Sequence, residues 1–152
     1  MGWVGLLGSE SGLLAATLPQ SSAQEAERHL GDISDAKPSE KPFADLIKRL
    51  KAYFSGERVE FPDELDLSGA TDFQRQVWRL TWLIPYGETR SYGWLAKRLG
   101  KKGARAVGQA LARNRLPVII PCHRVVASNG NLSGYSGGVG VKRSLLRLEA
   151  HR

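Results

Sequence analysis

A single cysteine, Cys122, stands among the 152 residues of this chain, so neither an intrachain disulfide nor a zinc site built on several thiolates is available to it. Whatever the chain folds into must be held by an apolar core. Apolar residues make up 41% of it and four tryptophans are present, which is enough for such a core. At this length one or two small domains are expected. The formal net charge of +7 favours an anionic partner, with nucleic acid first and an anionic membrane surface second. No segment reaches the roughly 18 consecutive apolar residues that span a bilayer. Residues 1–7 lack the basic stretch of a secretory leader, and Gly2 does not open a myristoylation pattern. An intracellular, cytoplasmic protein is therefore expected.

The cysteine sits in the string Ile119-Ile120-Pro121-Cys122-His123-Arg124-Val125-Val126. An apolar run delivers it, a proline stops the run, and two basic side chains follow. A nearby imidazole or guanidinium favours the thiolate, the nucleophilic form. In an extended strand, however, Cys122 and His123 would face opposite ways. They cooperate only if the chain turns at Pro121 or a water bridges them, and a lone cysteine is commonly just a small buried residue. The string makes a reactive thiol possible without requiring it.

Punctuation along the chain divides it in two. Residues 3–7 and 13–17 read as short strands joined by the turn-forming Gly8-Ser9-Glu10-Ser11-Gly12. A short helix over residues 19–30 follows, opened by Ser21 or Ser22. A polar loop covers residues 31–42, and Phe43, Leu46, Ile47, Leu50 and Phe54 recur at helical spacing up to Ser55-Gly56. The acidic stretch 63–69, directly after Pro62, marks a boundary. The expected organisation is an α/β N-terminal domain with a small antiparallel sheet and helices (1–65), a linker (66–70), and a mainly α C-terminal domain (71–152).

In that second part Thr71 is positioned to cap a helix running to about residue 83, and Pro85-Tyr86-Gly87 breaks it. Ser91 caps a helix over 92–99, Gly100-Lys101-Lys102-Gly103 forms a turn, and a helix over 104–113 follows. Two short helices around a glycine-containing turn read as a helix-turn-helix. The second of them is rich in small residues (Ala104, Ala106, Gly108, Ala110, Ala112) and starts with Arg105 after two lysines. That combination suits close approach to DNA, though ordinary helix packing would use the same small residues. Residues 118–120 read as a buried strand or core segment. The last helix, 141–151, places Glu149 on the face of Leu145 and Leu146. Such a carboxylate is either a rim group paired with Arg152 or Lys142, or an acceptor that orients His123 and makes it a better base.

Pro121-Cys122-His123-Arg124-Val125, with Asn114 upstream and Gly134-Tyr135-Ser136-Gly137-Gly138 downstream, resembles the O6-alkylguanine-DNA alkyltransferases. Phe73-Gln74-Arg75-Gln76-Val77-Trp78, Ile84-Pro85-Tyr86-Gly87-Glu88-Thr89, Ser91-Tyr92 and Ala104-Arg105-Ala106-Val107-Gly108 add to the resemblance, which covers about residues 71–152. It implies a winged-helix-like DNA-binding domain. It also implies a single-turnover transfer of an alkyl group from O6 of guanine in double-stranded DNA to Cys122, with O4-alkylthymine only a possible lesser substrate. His123 would be the base, acting through a water, and Glu149 would orient it. Asn114 would tie the recognition segment to the site. Tyr92 would press on a phosphate and help extrude the base, and Arg105 would fill the gap in the stack. Lys101, Lys102, Ala104, Gly108 and Arg113 would meet the minor groove. Val125, Tyr135, Ser136 and Gly137 would line the pocket. No cofactor and no metal are implied, and a monomer is expected. Arg115 stands where relatives often carry proline. Relatives that flip the base but lack the acceptor cysteine act as damage sensors, and Cys122 argues against that class. A helix-turn-helix regulator with an inert thiol would also fit the basic charge. A cysteine hydrolase would need an oxyanion hole and a substrate cleft that the sequence does not show.

Overall fold

The computed structural model describes the chain except residues 1, 40, 101, 102, 131, 133–137, 151 and 152. It divides into two compact units, Met1–Asp66 and Leu67–Arg152.

In the first unit β1 (Leu6–Ser9) and β2 (Gly12–Ala16) form an antiparallel hairpin, with a register irregularity between Leu7 and Gly8. Gly12 adopts φ +139°, and a Cβ there would fall 2.6 Å from the Glu64 carbonyl oxygen, so the turn needs glycine twice over. The first strand starts later than residues 3–7 predict. The Thr17 hydroxyl accepts the Gly5 N–H at 2.9 Å, substituting a side chain for a ladder partner. Trp3 is left in an isolated bridge with Gln20. Ser22 caps α1 (Ala23–His29) by accepting from the Glu25 N–H. A 3-10 turn at Lys41–Phe43 leads into α2 (Ala44–Phe54), whose Leu46, Leu50 and Tyr53 are buried. Leu13 pairs on its other side with the segment around Leu65, through backbone bonds to Glu64 and Asp66.

The second unit is helical, with helix-turn-helix order as expected: α3 (Asp72–Trp82), α4 (Tyr92–Leu99), α5 (Ala104–Ala112) and α6 (Val139–Ala150). Beside the helices lies a two-residue parallel pairing of β3 (Arg90–Ser91) with β4 (Val125–Val126). Thr71 and Gln74 form a reciprocal capping box at the start of α3, worth about 1 kcal/mol. Ser91 caps α4, and Gly100 ends it at φ +90°. The Trp78 indole donates to the Ala110 carbonyl at 2.9 Å, fixing α5 against α3 while satisfying a buried N–H. Val77, Leu95, Val107, Leu116, Ile119, Ile120 and Val125 are almost completely buried. Each contributes roughly 1.5–3 kcal/mol by leaving water. Residues 118–120 belong to this core but form no strand.

Candidate active site

The connection from α5 to the cysteine is irregular and buried. The Asn114 carboxamide organises it: Oδ1 accepts the Leu116 N–H at 2.8 Å, and Nδ2 donates to the Ile120 carbonyl at 3.0 Å and to the Cys122 sulfur at 3.2 Å. Val118, in the middle of this loop, has φ +74°. A β-branched residue in that region is strained by about 1–3 kcal/mol, and it persists because its surroundings hold it there. Pro121, at φ −80° and ψ 64°, makes an inverse γ-turn closed by the Cys122 N–H on the Ile120 carbonyl at 2.7 Å. The chain then enters a single 3-10 turn, Cys122–Arg124. The proline thus supplies the turn that lets consecutive side chains serve one site.

Behind the cysteine lies a buried ionic cluster. His123 Nε2 is 2.6 Å from Glu149 Oε2. Arg124 grips the same carboxylate with two nitrogens, Nε on Oε1 at 2.8 Å and Nη2 on Oε2 at 3.0 Å, while its Nη1 donates to the Ile84 carbonyl at 2.7 Å. The Gly87 N–H adds a longer bond to Oε1 at 3.3 Å. All three side chains are buried. Burial alone would raise the Glu149 carboxyl, but the hydrogen bonds and charges of His123 and Arg124 bring it down to about 2. Burial pushes His123 below its ordinary value; Glu149 opposes this, and Arg124 and Lys142 reinforce it. Glu149 is therefore no rim group. His123, Arg124 and the Gly87 amide all hold its carboxylate, because α6 turns it inward beside Leu145.

Lys142, fully buried one turn before Leu145, points elsewhere: its Nζ lies 3.3 Å from the Tyr92 hydroxyl. Burial lowers its proton affinity, and negative charge on Cys122 works against that. Burial also raises the Tyr92 phenol, again with a contribution from Cys122. Tyr92 and Lys142 are thus within electrostatic reach of the sulfur. Val125 is buried just beyond the 3-10 turn.

On α5 the buried positions Val107, Ala110 and Leu111 leave an outer face of Ala104, Arg105, Gln109 and Ala112, followed by exposed Arg113 and Arg115. Gly108 lies beside the Tyr92 ring; a Cβ built on it would come 3.9 Å from that ring. The six expected groups Lys101, Lys102, Tyr135, Ser136, Gly137 and Arg152 fall outside the described residues. Charge is strongly segregated. The first unit carries 7 Lys and Arg against 12 Asp and Glu, net −5, and the second 15 against 3, net +12. Among the described residues no group of three or more His, Cys, Asp or Glu could hold a metal ion.

A family model described as "6-O-methylguanine DNA methyltransferase, DNA binding domain" matches residues 72–151, and its "ribonuclease-like domain" companion matches residues 2–67. The chain belongs to this methyltransferase family. A methylated-DNA–protein-cysteine methyltransferase of Mycobacterium leprae is 52% identical over 116 residues, 76% of this chain and 70% of the relative. One from Methanosarcina acetivorans is 47% identical over 112 residues, 73% and 71% of the two chains. Among solved structures, the Mycobacterium tuberculosis OGT in complex with DNA has a TM-score of 0.83 at 42% identity, covering 97% of this chain and 86% of that one. The O6-methylguanine-DNA methyltransferase of Pyrococcus kodakaraensis has a TM-score of 0.70 at 32% identity, covering 97% and 90%.

What sequence reasoning passes over is the buried placement of Arg124 and Lys142. Arg124 is visible in sequence only as part of the motif. Lys142 carries a usable signal, since residues 142, 145 and 149 share one helix face.

Proposed function

We propose that this protein repairs DNA by moving an alkyl group from O6 of guanine onto Cys122, once per molecule. The observation that carries the reading is the placement of the Cys122 sulfur. It accepts an N–H from Asn114 and adjoins a buried His123–Glu149 pair.

With Nε2–H donated to Glu149, the lone pair of His123 is on Nδ1, and this nitrogen takes the thiol proton through a water. The sulfur attacks the alkyl carbon, the carbon–O6 bond breaks, and guanine leaves with the bond's electrons. Tyr92, whose phenol is held protonated by burial, donates toward the leaving base. Cys122 is left as a thioether, which no side chain can hydrolyse, so the reaction ends there. In-line attack needs the nucleotide outside the stack, at a cost of a few kcal/mol that a poorly pairing base reduces. Arg105 on the outer face of α5 fills the gap, and the small residues Ala104, Gly108 and Ala112 allow that helix close approach in the minor groove. The basic second unit supplies the phosphate attraction. Val125 lines the pocket, and Arg113 meets the DNA. The protein works as a cytoplasmic, nucleoid-associated monomer made of domains 1–65 and 71–152. No helix among the described residues is long and apolar enough to cross a membrane.

The test is mass spectrometry of the intact protein after incubation with a duplex containing O6-methylguanine. One methyl group is expected, mapping to Cys122 and saturating at one equivalent. An unmodified mass after prolonged incubation would sink the reading.

A further inference from the structure

The His123–Glu149 pair is not isolated, and the third member of its cluster takes no direct part in the transfer. Arg124 is 6% exposed and spends all three guanidinium nitrogens on buried acceptors, two of them on one carboxylate. Replacing a whole buried ion pair by apolar side chains of similar volume is often neutral or stabilising, whereas removing one partner alone leaves the other charge buried and uncompensated. What distinguishes Arg124 is therefore what its charge and shape do locally. The two parallel bonds to Glu149 fix the plane of the carboxylate as well as its position, a geometry that lysine, with one point charge, does not reproduce. The carbonyl of Ile84 anchors the other end of the fork, so the carboxylate is set against the segment entering Pro85-Tyr86-Gly87. The Tyr86 ring lies 5.6 Å from the guanidinium carbon.

We propose, building on the alkyl-transfer reading, that Arg124 is a positioning residue: by holding both oxygens of Glu149 it fixes the orientation of His123 and sets the pH above which His123 can accept the Cys122 proton. A buried carboxylate facing an imidazole draws a proton onto the ring, and an imidazolium is no base. Arg124 offsets that pull. Oε2 is shared between His123 and Arg124, and Oε1 between Arg124 and the Gly87 amide, so neither oxygen is left to His123 alone. The other groups around His123 do not replace it. From α6, Glu149 pulls a proton onto the ring and Lys142 pushes it off. The buried face of α3 offers Val77, Trp78 and Thr81, none of which titrates near neutrality. On β3, Arg90 is paired with Glu88. On its own turn His123 has only Cys122 and Arg124.

The experiment is the rate of benzyl transfer from free O6-benzylguanine to the whole protein, followed across about pH 5 to 9, which leaves DNA binding out. In wild type the rate falls on the acid side as His123 becomes protonated. Arg124→Met is expected to move that acid limb up by about one pH unit, equivalent to about a tenfold loss at a pH on the limb. Arg124→Lys keeps the charge and loses the fork, so the limb stays near its wild-type position while the rate falls about tenfold at every pH. An Arg124→Met limb at the wild-type pH overturns the proposal, whether or not the rate is lower overall. Should Arg124→Met fail to fold, Arg124→Lys decides alone: a displaced limb, or no loss of rate, overturns it. A wild-type protein that takes up no benzyl group counts instead against the transfer reading itself.

Discussion

The carboxamide nitrogen of Asn114 lies 3.2 Å from the sulfur of Cys122, while the same nitrogen donates to the Ile120 carbonyl at 3.0 Å. One side chain thus holds both the acceptor atom and the end of the loop that carries it. Through Leu116 it also braces the turn that forces Val118 to φ +74°.

Asn114→Ala therefore removes a donor from the sulfur and two brackets from the loop. Benzyl uptake from O6-benzylguanine should fall about 10²-fold, the usual size of losing one placed donor at a reacting centre. Stability should fall by about 1–3 kcal/mol in chemical denaturation, because the Leu116 N–H and Ile120 carbonyl lose their partner. Asn114→Asp keeps the Leu116 bond but sets a carboxylate oxygen against both the sulfur and the Ile120 carbonyl, so it should be the slower of the two variants. A faster Asp variant would show that the amide does not act on the sulfur.

Arg105 opens α5 on its outer face, away from Val107, Ala110 and Leu111. If it fills the stack after base extrusion, Arg105→Ala should slow methyl removal from a duplex by tenfold or more, on the scale of a few kcal/mol for unstacking. Uptake from free O6-benzylguanine should stay within about twofold of wild type, since no base has to be extruded there. Equal losses on both substrates would contradict the role.

How much of this is legible in the sequence follows from what each residue needs. Cys122, His123 and Asn114 can be read because their chemistry lies within the ten residues 114–123, with a proline marking the turn. Ser22, Thr71 and Ser91 can be read as caps because capping is local, and all three do cap. Glu149 admits two outcomes in sequence, and only packing decides between them: α6 turns it inward, where it meets His123 and Arg124 rather than Lys142. The buried roles of Arg124 and Lys142 stay hidden because long basic side chains ordinarily reach water, so composition assigns them to the surface. The conformation of Val118 has no sequence signal at all, since valine is among the residues least expected at positive φ. In the first unit the strand start is misplaced because a side chain, Thr17, supplies a bond that strand patterns assign to backbone.

Lys142 places a cation in the core of the second unit, against the Tyr92 hydroxyl. Its lowered proton affinity means that burial disfavours the charged form, a cost to stability at neutral pH. Lys142→Met, close in volume, should leave the unfolding free energy unchanged or raise it, yet slow alkyl uptake by at least about tenfold, as charge facing the sulfur and Tyr92 is lost. Loss of stability together with unchanged uptake would assign Lys142 a purely structural place.

Glu149 is held at about 2 against an ordinary 4.5, so the unfolded chain binds its proton first. Its contribution to stability is therefore complete above about pH 5 and is lost as the pH falls toward 2, at most about 3 kcal/mol. His123 acts in the same direction at higher pH: held below its ordinary 6.5 by burial, it costs stability once the unfolded chain's histidine protonates. Denaturation midpoints should accordingly drop from pH 7 to about pH 4. Glu149→Gln leaves Arg124 buried without its counter-charge, so this variant should be less stable than wild type at pH 7 by several kcal/mol. It should also show a flatter decline on acidification, because the group that titrates is gone. Parallel declines in the two proteins would mean that acid acts elsewhere, and that the carboxylate between His123 and Arg124 is not the charge on which this unit's acid stability rests.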